Sequence, residues 1–353
     1  MVHVVRGDLP GLRYLDGRAV ARISAYLFHR GGDSTPAALR ANAELSFQGT
    51  IVLGMEFTFD DNDKKNIANP ISLMRQLLDA SPTNRECIRP YWGGAELNET
   101  WTFQPTRFVI DFDSLPEDEA RSKWPDVMTL VERRVKPARL LNEDERARKY
   151  WWQFLRPRAE LYDRLRNCKR TLVIARNSNT GAFLWMPATH IFSEKTVVFP
   201  VESDAFAAIL QSRVHDMWSR VLNTTFKDDL QYTPSECFDN FPLPERWEQD
   251  STLAEAGRRY FEYRSALVND TKTGLTDLFT SFHDPLNHSA PIETLRELHE
   301  IMDRAVLDAY GWRDIQANLD FILDYEERRR GGGRKSGQKE KAVAVPLARR
   351  DPR

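Results

Sequence analysis

Two apolar runs, Thr171–Arg176 and Ala182–Met186, flank five turn-forming residues, Asn177-Ser-Asn-Thr-Gly181. β-Branched and aromatic residues on both sides of such a turn point to an antiparallel hairpin, with the tip at Arg176–Asn179. Lys195-Thr-Val-Val-Phe-Pro200 supplies a third β-rich run. A helix is expected next, capped by Ser203 or Asp204. It places Leu210, Val214, Met217, Trp218 and Val221 toward the core and Gln211, Arg213, His215 and Arg220 on the other face. The segment from Leu230 to Pro244 is too aromatic and too Pro-rich to continue it.

Around this stretch the pattern is α+β, with a mixed or antiparallel sheet first and a helical region after it. Asp60–Asn66 reads as a solvated turn. Asn69-Pro-Ile-Ser72 reads as a helix start, with Asn69 as cap and Leu73, Leu77 and Leu78 inward. Thr106–Phe112 is a strand, and a charged helical segment runs from Pro116 to about Arg166. Between Arg133 and Arg158 it holds nine Lys or Arg against the three acids Glu143, Asp144 and Glu145, interrupted by Trp151, Trp152 and Phe154. A basic stripe with interleaved aromatics suits a phosphate-tracking surface, and equally a solvated face with i,i+4 ion pairs. Past Pro244, helices are expected over Leu253–Val268, Pro291–Tyr310 and Ile315–Arg330. The last 23 positions, 331–353, carry seven basic and two acidic residues without periodicity, which predicts a disordered basic tail.

The 353 residues suffice for two domains of ordinary size, and no apolar run is long enough to span a membrane. The first residues lack a signal-peptide core, so a cytoplasmic protein is expected. Cys87, Cys168 and Cys237 lie far apart without metal-ligand spacing. His283, His288 and His299 offer neither two ligands at i,i+4 nor a paired carboxylate, so no metal is expected. A net charge of −2 does not exclude nucleic acid, because binding needs a local basic surface.

The order Leu210-Gln211-Ser212, His215, Trp218, Tyr232-Thr233, Cys237-Phe238 and Phe241-Pro-Leu-Pro244 resembles the target-recognition domain of MmeI-like adenine-specific DNA methyltransferases of restriction–modification and phage-defence systems. Further pieces follow the same pattern. Upstream they are Asn42–Gly49, Pro90–Asn98, Arg107–Phe112, Val135–Pro137 and Trp151-Trp152; downstream they are Leu298-His299, Met302-Asp303, Ala305-Val306 and Ala309–Trp312. The resemblance implies four parts: 1–60 as the segment leading from a catalytic domain, 61–248 as the recognition domain, 249–330 as a helical domain, and 331–353 as the tail.

It also implies double-stranded DNA as partner and S-adenosylmethionine as the family's cofactor. No glycine-rich cofactor turn is recognisable, since Gly31-Gly32 and Gly93-Gly94 lack a strand-to-helix context, and Ile71 and Ser72 spoil the Asn-Pro-Pro-aromatic pattern that holds a flipped adenine. No catalytic residue and no cofactor site is therefore expected here, and a separate methyltransferase catalytic subunit is expected to hold the cofactor. The other reading is an interaction partner without DNA contact, or a truncated remnant of such an enzyme. Base reading falls to the hairpin tip, Arg176, Asn177, Ser178 and Asn179, since Arg and Asn present paired groups to guanine and adenine edges; the other reading is that Asn-Ser-Asn-Thr-Gly is simply a solvated turn, as its composition explains equally well. Arg213 and His215 are further readers or phosphate clamps, and Arg146, Lys149 and Arg156 are phosphate contacts.

Overall fold

The computed structural model describes residues 11–317 except 12, 16–17, 27, 29–31, 103, 224 and 227–228, and farther on the paired strands Phe321–Ile322 and Val343–Ala344. A short antiparallel pair, β1 (Arg13–Leu15) and β2 (Arg18–Val20), comes first. Then follow β3 (Phe47–Gln48), β4 (Thr58–Phe59), α1 (Ile71–Ala80), β5 (Ile88–Trp92), α2 (Gly94–Glu99) and β6 (Phe108–Ile110). The expected charged helix is instead a series of short ones: α3 (Glu117–Lys123), α4 (Pro125–Arg134), α5 (Lys136–Leu140), α6 (Glu145–Lys149) and α7 (Ala159–Leu165). Pro125 and Pro137 start new helices, because each lacks an N–H for the preceding turn.

The hairpin forms as expected. β7 (Arg170–Ala175) pairs antiparallel with β9 (Phe183–Pro187), with Leu172 opposite Trp185 and Ile174 opposite Phe183. Within the turn lies β8 (Asn177–Ser178), and after the hairpin come β10 (Ile191–Phe192) and β11 (Thr196–Phe199). One sheet has the order β3-β11-β7-β9, fully antiparallel; the other has the order β10-β5-β6-β4, with β10 parallel to β5. They approach where Thr50 bridges Ser193, and Gly49 permits this approach: a Cβ there would lie 2.1 Å from the Ser193 carbonyl oxygen. Most of β7 is buried on both faces, which is why it reads as a continuous apolar run rather than an alternating one.

The helix expected after residue 203 is two helices, α8 (Asp204–Gln211) and α9 (Arg213–Leu222), with Ser212 extended between them at ψ 157°. Ser203 caps the first and Ser212 the second, each accepting from a backbone N–H. The break turns α9 so that Arg213, His215 and Ser219 face inward, while Val214, Met217 and Trp218 are half-buried and Val221 is 39% exposed. Arg213, His215 and Val221 thus lie opposite to expectation, whereas Leu210 is buried and Arg220 exposed as expected. Gln211 is buried as well.

Past α9 lie β12 (Thr225–Phe226), β13 (Asp229–Gln231) and α10 (Pro234–Cys237), then α11 (Ser251–Thr271), α12 (Leu275–Phe282) and α13 (Ala290–Ala309). Gly257 lets α11 cross close over α8, since a Cβ at 257 would stand 2.3 Å from the Asp204 carbonyl oxygen. The buried apolar cluster runs without interruption from Val52 to Val306, through both sheets and into α11, α12 and α13. Neither residue 60 nor residue 249 marks a break in it.

Three smaller expectations are corrected. Asn69 does not cap α1; its amide donates to the carbonyls of Glu56 and Thr58, and Asp61 accepts the Ile71 N–H instead. Residues 315–317 are not helical and Phe321–Ile322 is a strand; the remainder of the expected final helix lies outside the described residues. In the tail, Val343–Ala344 forms a strand, and the rest also lies outside them. Among the described residues no helix is long and apolar enough to cross a membrane, and no three His, Cys, Asp or Glu converge as a metal site.

Candidate nucleic-acid interface

The hairpin tip is not a free ribbon end. β8 pairs with β13, Ser178 opposite Leu230 and Asn177 opposite Gln231, so the tip belongs to a three-stranded sheet of order β12-β13-β8. Arg176 is pinned through its backbone: its N–H donates to Lys195 O at 2.8 Å, and its carbonyl accepts from Tyr232 N at 2.7 Å. Ser178 and Thr180 turn inward and share a 2.8 Å hydroxyl bond; Thr180 Oγ1 also accepts the Ala182 N–H. Gly181 takes φ +59°, the left-handed region that favours glycine at the close of the turn. Sequence reasoning grouped four tip residues, and the fold separates them. Asn177 and Asn179 are exposed, Arg176 is half-buried, and Ser178 is buried with its hydroxyl 3.4 Å from Asn98 Oδ1.

Beneath the tip lies a cleft of about 620 Å³. Its other walls are α2, Arg107, the 193–195 turn and Thr276 of α12. Arg107 lies 4.5 Å from the Tyr91 ring centre and pairs with Glu96 at 2.6 Å. Glu96 in turn accepts the Gly93 N–H at 3.0 Å, and burial pushes the Tyr91 hydroxyl pKa up. Contrary to the sequence reading, Gly93-Gly94 does join a strand, β5, to a helix, α2. The turn is nonetheless filled by the chain itself: a Cβ on Gly93 would meet Glu96 Oε2 at 2.6 Å, and one on Gly94 would meet Lys195 O at 3.0 Å. Arg107, Asn98, Lys195 and Thr276 were missed as site residues because they come from separate segments; only the pattern pieces Pro90–Asn98 and Arg107–Phe112 hinted at two of them.

The basic stripe reaches this cleft at one end. Arg158 donates to Gln48 Oε1 at 3.2 Å, and Gln48 Nε2 donates to Glu194 O at 3.0 Å, on the cleft wall. Arg156 is bridged to Ile51, one residue from the Thr50–Ser193 contact. Elsewhere the stripe is thinner than its sequence. Trp151, Trp152 and Phe154 are core residues, and Arg139 is 3% exposed, donating to the carbonyls of Val52 and Gln153. Arg133 and Arg134 share a recess with Asp60, Asp61 and Asp63, which oppose their charge. Arg146 is half-buried and donates to Leu155 O, whereas Arg148, Lys149 and Arg156 are exposed.

Arg213 and His215 are not placed to touch DNA. Arg213, 6% exposed, holds Asp303 of α13 with its Nε at 2.6 Å and its backbone N–H at 2.9 Å. His215, 1% exposed, shares a 2.9 Å bond with the Tyr232 hydroxyl, and burial pulls its pKa down to about 3, so it is neutral at physiological pH. Both tie α9 into the core.

The sequence profile described as "MmeI, target recognition domain" matches residues 49–245. No curated protein matches the chain. Among solved structures, the Type IIL restriction-modification enzyme MmeI in complex with DNA superposes with a TM-score of 0.62 at 20% identity, a likeness of fold, over 84% of this chain and 37% of that one. The type IIG restriction endonuclease BpuSI aligns at a TM-score of 0.32 and 13% identity, over 78% of this chain and 32% of that one. This chain thus spans little more than a third of the solved MmeI chain.

Proposed function

The chain belongs to the MmeI target-recognition-domain family, and on that premise we propose that it is the DNA-reading portion of an adenine-N6 methyltransferase of a restriction–modification or phage-defence system. It docks on duplex DNA, reads base edges and presents the target adenine for flipping. A separate catalytic subunit holds S-adenosylmethionine and transfers the methyl group to the adenine amino group. The observation that carries this reading is the juxtaposition at the tip: exposed Asn177 and Asn179, on a turn paired to β13, stand over a polar cleft whose Glu194 wall is tied through Gln48 to Arg158 of the basic segment. Asn offers a donor and an acceptor to an adenine edge, a pairing worth about 1–3 kcal/mol against the wrong base. Arg148, Lys149 and Arg156 supply sequence-independent phosphate contacts.

Binding to duplex DNA tests it. With roughly four to six phosphates neutralised, affinity should fall about a hundredfold or more between 50 and 200 mM salt. Reversing the charge at Arg148, Lys149 and Arg156 together should weaken binding equally on all sequences and flatten the salt slope by about 3. An affinity that ignores salt, or no binding at all, would mark an interaction partner rather than a DNA reader.

A further inference from the structure

We propose that Arg264, on helix α11, is a positioning residue for sequence reading: with Gln211 it fixes the backbone where the hairpin tip re-enters the sheet. This rests on the base-reading role given to the tip above. β9 is the edge of its sheet, so one side of its backbone has no strand partner. At its first residue, Phe183, side chains take that place. The Phe183 N–H donates to Gln211 Oε1 at 3.0 Å, and Arg264 donates from Nη1 to the same oxygen at 2.9 Å and from Nη2 to the Phe183 carbonyl.

Phe183 follows the tip directly, two residues after Gly181. The entry to the tip is held by Lys195 and Tyr232 through Arg176, and the exit is held by the Gln211–Arg264 bridge. Both ends are therefore pinned, each from a different part of the chain.

The choice of arginine is informative. Arg264 is 1% exposed and forms no ion pair among the described residues; its guanidinium lies 4.6 Å from the Phe261 ring centre. Burying a cation without a carboxylate is costly, and a hydrophobic residue of similar volume would avoid that cost. Stability alone does not account for it. A planar guanidinium does what a hydrophobe does not: it donates to two acceptors in one plane while its face packs on an aromatic ring.

The test compares the wild-type chain with Arg264→Met and Arg264→Lys by three measurements: amide exchange, selection from a pool of random-sequence duplexes, and affinity for an unselected random-sequence duplex. In Arg264→Met, the Phe183 amide and the tip amides should exchange at least about tenfold faster while those of β5 and β6 are unchanged. Motif enrichment should fall about tenfold, and affinity for unselected duplex, carried by phosphate contacts, should stay within about twofold. Arg264→Lys, which keeps one donor for the Phe183 carbonyl but loses the planar two-acceptor bridge, should recover the enrichment only in part, while its affinity for unselected duplex stays at the wild-type level. A wild-type exchange rate at Phe183 or a wild-type motif in Arg264→Met overturns the proposal. Should that variant not fold, Gln211→Met carries the same expectations and the same refutation. A wild-type chain that enriches no motif instead overturns the base-reading assignment, a result visible before any variant is made.

Discussion

Arg213 and His215 lie two positions apart on α9, and each is held by a group that the sequence places far away. Arg213 meets Asp303 across ninety positions and His215 meets Tyr232 across seventeen. Composition alone cannot separate a basic residue aimed at DNA from one that locks a core; only the distant partner decides it. Removing one member of the buried Arg213–Asp303 pair, as in Arg213→Met or Asp303→Asn, should cost about 3–5 kcal/mol, read as a lower urea midpoint with an unchanged salt slope of DNA binding. The pH dependence follows from the shifted groups. Burial works to raise the Asp303 carboxyl pKa, but the His299 and Arg213 contacts outweigh it and hold the group below its usual range, so its contribution is present above the ordinary carboxylate pKa and is lost as pH falls through the lowered one. His190, His215 and His283 are pulled down by burial to about 4, 3 and 4, so the fold favours their neutral forms. Unfolded histidine gains its proton near pH 6.5, so stability should fall as pH drops from about 7.5 to 5.5, by on the order of 1 kcal/mol per buried histidine. Denaturation midpoints at the two pH values check this, and a His190→Phe variant should lose its share of the slope.

Among the elements, the hairpin was legible because its information is local: two β-rich runs and a turn fix both register and reversal. The pairing of β8 with β13 was not, since it joins residues some fifty positions apart through strands too short to announce themselves. The break at Ser212 was hidden by an apolar spacing that fits one continuous helix; the buried partners of Arg213 and His215 override it. In the basic segment, the tryptophans that resemble stacking platforms are core residues, an outcome the periodicity of five short helices could not disclose. The crossing of α11 over α8 depends on the missing side chain of Gly257. Gly257→Ala should force the helices apart and cost about 1–3 kcal/mol, measured by chemical denaturation, with the far-UV helical signal retained.

At the scale of the whole molecule, one apolar core joins the sheets to the C-terminal helices, and those helices also shape the cleft through Thr276 and hold the hairpin through Arg264. Sequence reasoning found the α+β class, the helical C-terminal region and the tip itself. It missed the cleft, whose walls come from five separate stretches of chain. The role proposed for the tip over this cleft is to read bases. Selection from a random duplex pool tests it most directly, comparing the wild-type chain with an Asn177→Ala/Asn179→Ala double variant. A defined motif is expected for the wild type and, for the variant, relaxation at one or two positions, about 1–3 kcal/mol each, with affinity for unselected duplex unchanged. An identical motif from both proteins, enriched to the same degree, would contradict it.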